Sequence, residues 1–193
     1  MPKRGSAREA VVEAALRLFS RDSYSRVSVE EVASEAGVSK GAVFHYFKSK
    51  LELAEEALKL LLARLVTTPF RRIVNSEASV EEKVRALLDL SLEVSSKYNA
   101  RRLSFLIEVF RELERAGRGA SIRSVYRSAL EDLARILEEA GVPNARARAV
   151  LLLAILDGLG VQISILGDEL SPDLLGKVRE EVAEVILCGR AGG

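Results

Sequence analysis

Residues 39–50, SKGAVFHYFKSK, hold the side chains with the most chemistry to offer. Lys40, Lys48 and Lys50 supply ammonium groups, Ser39 a hydroxyl, and Phe44, His45 and Tyr46 three flat rings. Gly41 and Ala42 carry almost no side chain, so the backbone between them can approach a partner closely. Cations, a hydroxyl and rings around bare backbone suit recognition of phosphates and base edges. They do not suit bond-breaking chemistry. His45 is the single histidine and has no acidic or thiol companion beside it; Cys188 is the single cysteine. No glycine-rich phosphate loop and no metal-ligand spacing occurs. The expectation is a protein that is not an enzyme and has no cofactor and no metal site.

The elements that must position these groups are legible around them. Residues 28–31, SVEE, form a capping box in which Ser28 caps a helix and Glu31 reaches back. Val29, Val32, Ala33 and Ala36 give that helix a small inner face. Gly37 suits the left-handed turn that stops it, and Val38 plugs the angle before a short helix opening at Ser39. Val43 and Phe47, at i and i+4, anchor this third helix inward. Ser39, Lys40, Gly41, Ala42, Phe44, His45 and Tyr46 are then left outward or along the rim, with Lys40, Lys48 and Lys50 bracketing them. Two short helices across a glycine turn make a helix-turn-helix. Ahead of it, Val11, Ala14, Ala15, Leu18 and Phe19 form one helical stripe. Charge follows the same division: residues 1–50 hold nine basic against six acidic residues, so the head is +3 and the rest −2 of a net +1.

Residues 8–53 resemble the DNA-binding domain of the tetracycline-repressor (TetR) family. The resemblance rests on the opening helix REAVVEAALRLFSRDSY followed by SVEEVASEAGVSKGAVFHYFKSKLEL. Leu18, Phe19, Ser23, Tyr24, Gly37, Val38, Ser39, Phe44, Tyr46, Phe47 and Lys50 fall on its pattern. It departs in two places: Ser23 stands where glycine is common, and Phe44 where tyrosine is usual. The resemblance implies a homodimer on double-stranded operator DNA, one recognition helix per subunit in successive major grooves. It carries DNA contact to Ser39, Lys40, Gly41, Tyr46 and Lys50, with Ser28 near the backbone. Together with the residues left outward, the full DNA-binding set is Ser28, Ser39, Lys40, Gly41, Ala42, Phe44, His45, Tyr46, Lys48 and Lys50. Phe44 is kept as a packing contact.

Helical periodicity continues to the end, and nothing alternates as a strand. Ser49 with Glu52 opens a long helix that should end before Pro69. Further helices are expected over residues 79–98, 100–116, 121–140, 145–166 and from the cap Ser171-Pro172 onward. The expected fold is all-α: nine helices in a TetR-like arrangement, with a helix-turn-helix head over residues 1–52 and a helical effector-binding and dimerisation body over 53–193. Residues 149–166 are apolar nearly all round, which one buried stripe cannot account for. Leu174, Leu175, Val178, Val182, Val185 and Ile186 make a second apolar stripe. Regions 145–166 and 172–188 are where TetR-like proteins build a dimer interface.

Asp157 and Gln162 interrupt the apolar run, so no membrane span is read there, and the expected location is cytoplasmic. Asp157 is expected as a buried acid bonded to a neighbouring helix, or as a ligand contact. Phe70, Leu88, Leu92, Phe105, Phe110 and Tyr126, with Asp157, are candidate lining for a hydrophobic small-molecule effector, a fatty acyl-CoA being one candidate. Arg101 and Arg102 are candidates for its phosphates. Such a chain is a ligand-released repressor. The alternative is a nucleoid or division factor of the same fold with no ligand.

Overall fold

In a computed structural model, the described residues are 4–97 and 100–189, with side chains described for 7–95 and 104–189. Every regular element among them is helical: α1 (Arg4–Asp22), α2 (Val29–Glu35), α3 (Lys40–Tyr46), α4 (Lys50–Leu62), a π turn (Ala63–Thr67), α5 (Thr68–Val74), α6 (Val80–Lys97), α7 (Ala100–Arg115), α8 (Ala120–Glu139), α9 (Ala145–Leu166), a 3-10 turn (Gly167–Glu169) and α10 (Pro172–Leu187). Because α4, the π turn and α5 are contiguous, the described residues form the nine expected rods.

One boundary differs from expectation. The helix opened by Ser49 does not stop before Pro69; the chain stays helical to Val74. A proline inside an α-helix lacks one N–H and crowds the carbonyl four residues back. The π turn lets the helix restart at Thr68, with Pro69 in the first turn of α5. There its missing N–H has no intrahelical partner to lose.

The chain divides into two compact units, Met1–Arg64 with Ala100–Ala120, and Leu65–Asn99 with Ser121–Gly193. In the first, α1 packs on α4, α2 and α7, and α2 packs on α3. The stripe read from sequence is its core: Val11, Ala14, Ala15, Leu18 and Phe19 are buried, with Leu53, Ala54, Ala57 and Leu58 of α4. In the second, α6 packs on α9, α10 and α5. Its core gathers Phe70, Val84, Leu87, Leu88, Leu133, Leu137, Leu152 and Ile186.

α9 buries only Ala149, Leu152 and Leu159. Val150, Leu151, Val161, Ile165 and Leu166 are exposed, Ile165 at 75% and Leu151 at 54%. On α10, Val178 and Val182 pack against the core and Ile186 is fully buried, whereas Leu174 and Val185 are exposed. By length and composition alone, Ala145–Glu169 is apolar enough to cross a membrane. Its inner residues instead fill the core of the second unit.

Candidate nucleic-acid interface

The turn between α2 and α3 is fixed by backbone bonds. Gly37 takes φ +67°. Its N–H donates to the Ser34 carbonyl at 3.1 Å, and the Val38 N–H donates to the Ala33 carbonyl at 3.0 Å. This is the paired closure that a left-handed residue makes at a helix end. A Cβ at Gly37 would meet nothing within 4 Å, so the glycine is there for its backbone angle.

Caps hold both short helices. Ser28 Oγ accepts from the Glu31 N–H at 3.2 Å, and Glu31 Oε2 accepts from the Ser28 N–H at 2.7 Å. The Ser28 N–H, and after it the Ser28 hydroxyl donating to Oε2 at 2.8 Å, hold the Glu31 carboxyl below its usual value. Ser39 Oγ accepts from the Ala42 N–H at 3.1 Å. Ser49 Oγ accepts from the Glu52 N–H at 3.1 Å, while Glu52 takes the Lys48 N–H at 2.8 Å.

With Val43 and Phe47 buried, the outer side of α3 is presented as expected. Ser39, Lys40, Gly41, Phe44, His45 and Lys48 are exposed, Phe44 at 43%, and Ser28, Ala42 and Tyr46 are half-buried. Lys40 pairs with Glu30, and its ammonium lies 5.9 Å from the Phe44 ring centroid. His45 and Tyr46 meet edge to face at 5.3 Å. Lys50 is turned partly inward. Its ammonium sits 4.5 Å from the Tyr24 ring centroid and donates to the Ser25 carbonyl at 3.4 Å. Burial lowers its pKa, and Glu108 opposes that effect.

Residues 11–57 match the family model described as bacterial regulatory proteins, tetR family. The chain is 28% identical over 170 residues to the HTH-type transcriptional regulator BetI of Agrobacterium fabrum, covering 86% of this chain and 82% of that protein. It is 30% identical over 95 residues to the transcriptional repressor KstR2 of Mycobacterium tuberculosis, covering 49% of this chain and 47% of that one. A transcriptional regulator from Rhodococcus superposes with TM-score 0.78 at 26% identity, over 96% of this chain and 98% of its own. Residues 11–57 are a tetR-family domain, and the chain that carries them is similar to BetI over most of its length. The chain is a DNA-binding transcription regulator of the helix-turn-helix type, and these relatives have a non-enzymatic role.

This TetR-family head contains partners that the motif did not reveal. The Arg8 guanidinium lies 5.1 Å from the Phe47 ring centroid and bonds Glu56 at 2.6 Å. Glu55, buried in the same compact unit, is met by Lys59 at 2.9 Å and Arg118 at 2.7 Å. Glu108 of α7 accepts from the Ser25 N–H at 3.1 Å. Most of these pairs join positions dozens of residues apart, and no local spacing announces them.

The candidate effector residues divide between the two units. Phe105 is fully buried and stacks on Phe19 at 5.5 Å, and Phe110 is half-buried in the same unit. Phe70 and Leu88 lie in the core of the other unit with Leu92 packed against them. Tyr126 and Asp157 form a pair in that unit: the Tyr126 hydroxyl bonds the Asp157 carboxylate. Asp157 is therefore tied to a neighbouring helix as expected, but it is exposed rather than buried. Apolar neighbours still strip part of its solvent and raise its pKa, against the pull of the Tyr126 bond. Desolvation, the Asp157 charge and this bond push Tyr126 up to about 12. An open cleft of about 410 Å³ beside α6 and α10 is lined by Glu81, Arg85, Ala183, Glu184, Leu187 and Cys188, none of them a candidate effector contact. The side chains of Arg101 and Arg102 lie outside the described residues.

Proposed function

We propose that this regulator binds palindromic operator DNA as a homodimer in the cytoplasm, represses transcription there, and is released by a hydrophobic small molecule. The observation that carries the DNA half is the outer face of α3: Lys40, Phe44, His45 and Lys48 exposed around the bare backbone of Gly41. Ser28, Ser39, Ala42, Tyr46 and Lys50 complete the proposed contact set. Exposed apolar side chains on α9 and α10 support a second copy as the partner, since a monomer gains nothing by wetting them. The two recognition helices then read half-sites roughly 34 Å apart. Residues 1–52 serve as the reading head and 53–193 as the sensing and dimerising body.

The effector reading rests on the apolar body. Its proposed contacts are Phe70, Leu88, Leu92, Tyr126 and Asp157, and the proposed class is a fatty acyl-CoA. The helical run from Lys50 to Val74 follows α3 directly and is the proposed lever. A ligand shifts the head spacing only by binding the two spacings differently, so operator and ligand must weaken each other by the same factor.

Selection of a duplex from a random library, followed by anisotropy titrations over a salt series, tests the DNA half. Lys40→Ala and Lys48→Ala should each flatten the log–log salt slope by about 0.9 for every phosphate left without its lysine. Unchanged slopes in both variants would remove this face from the interface. Titration of a long-chain acyl-CoA into free and operator-bound protein tests release; equal affinities refute coupling for that ligand, and no apolar ligand binding at all favours the ligand-free DNA factor.

A further inference from the structure

Ser25 is held on both of its backbone polar groups by side chains from two different helices. Its N–H donates to Glu108 Oε2 of α7 at 3.1 Å, and its carbonyl accepts from the Lys50 ammonium of α4 at 3.4 Å. The other Glu108 oxygen takes the Ser104 hydroxyl at 3.1 Å, which fixes the carboxylate. Lys50 is steadied by the Tyr24 ring at 4.5 Å. Tyr24 meets Phe19 edge-on at 5.6 Å, and Phe19 stacks on Phe105 of α7 at 5.5 Å.

Residues 23–28 are the whole connection between α1 and α2, so fixing them adds to the packing of α1 on α2 and α3 in aiming those two helices. The connection contains Ser23 at φ +76°. A side-chain-bearing residue keeps that angle only where its surroundings over-determine it. α2 and α3 have seven residues each, too few to hold an orientation without tertiary contacts.

We propose that Glu108 is a positioning residue for operator binding: α7 seats the helix-turn-helix through the Glu108–Ser25–Lys50 bridge. The proposal rests on the reading of α3 as the DNA-contacting helix. Its sign separates it from plain electrostatics. Removing an acid from a positively charged head should strengthen DNA binding if charge alone matters. A positioning role requires the reverse, because without its charge-assisted bond the connection that aims α3 is freed.

Glu108→Ala and Glu108→Gln in the full chain test this by amide exchange at Ser25 and by binding to a selected operator duplex. In the alanine variant Ser25 exchange should quicken by roughly tenfold, since its protecting acceptor is gone. Operator affinity should fall by about tenfold, the lower end of what removing one charge-assisted bond costs. The salt slope should not change, because every phosphate keeps its cation. Glutamine keeps an acceptor oxygen and should restore most of both effects. Unchanged Ser25 exchange, or operator affinity that holds or rises in the alanine variant, overturns the proposal. If the alanine variant loses its melting transition, Glu108→Met, which keeps the side chain's bulk but offers no oxygen to Ser25, takes its place: wild-type Ser25 exchange or wild-type affinity in that variant overturns the bridge. A wild-type chain that binds no duplex defeats the reading of α3 itself, whatever Ser25 does, and the proposal with it.

Discussion

Ser23 and Asp157 are the two residues whose local environment works against them. Ser23 adopts φ +76°, where a Cβ crowds the backbone. Glycine removes that strain but gains freedom in the unfolded chain, so the two effects partly offset. Ser23→Gly should stabilise the protein by about 0.5 kcal/mol, read as a higher urea midpoint at constant m; a lower midpoint would show that the Ser23–Ser25 hydroxyl contact at 3.2 Å matters more than the angle. Asp157 holds its proton more tightly folded than unfolded. The stability it contributes is present below the ordinary value of 3.8 and is lost as pH rises through the raised folded value. Asp157→Asn keeps an acceptor for Tyr126 and should raise the melting temperature at pH 7, with the gain shrinking as pH falls toward 3.8. A gain that is the same across that range would assign it to something other than the charge.

At the scale of elements, the head depends on its punctuation. Gly37→Ala places a side chain at φ +67° with open space around it, so only the backbone resists. The expected cost is about 1 kcal/mol. Ser28→Ala removes the cap of α2 and should cost about 1 kcal/mol as well. Both should lower the urea midpoint. In conditions where each variant is fully folded, the effect of Gly37→Ala on operator affinity should vanish, whereas Ser28→Ala should keep a deficit because it also removes a proposed DNA contact. A Ser28→Ala deficit that vanishes would confine the hydroxyl to its capping role. α4 shows the same logic in reverse: Pro69 reads as a stop, yet the π turn absorbs it and the helix continues.

At the scale of the whole molecule, the apolar surface on α9 and α10 sets the expected assembly. Substitution at Val182 would disturb the chain's own core as well as a partner, because Val182 packs inward. Ile165 and Val185, exposed at 75% and 60%, separate the two effects. Ile165→Glu or Val185→Glu should leave far-UV circular dichroism unchanged while converting dimer to monomer at micromolar concentration, since a charge there loses water without gaining a partner. Operator affinity should fall with dimerisation. A wild-type chain that sediments as a monomer at that concentration would end the two-half-site geometry.

The sequence by itself determined the helices, their caps and the outer face of α3. Capping boxes, glycine stops and 3.6-residue stripes are local rules, and Ser28, Glu31, Gly37, Val43 and Phe47 obey them within a few positions of one another. It also indicated that residues 149–166 had more apolar surface than one contact could cover. What it could not determine are choices among distant partners. Nothing near Glu108 in sequence says that it will take the Ser25 N–H, and nothing near Lys50 says that its ammonium will rest on Tyr24 instead of standing free. Phe105 was legible as an apolar stripe residue, but only the packing of α7 on α1 placed it against Phe19, in the compact unit that holds the helix-turn-helix. Asp157 was legible as a carboxylate among leucines; which side of α9 it occupies is decided by which residues α9 buries in its own unit, and those are Ala149, Leu152 and Leu159, leaving the acid outside.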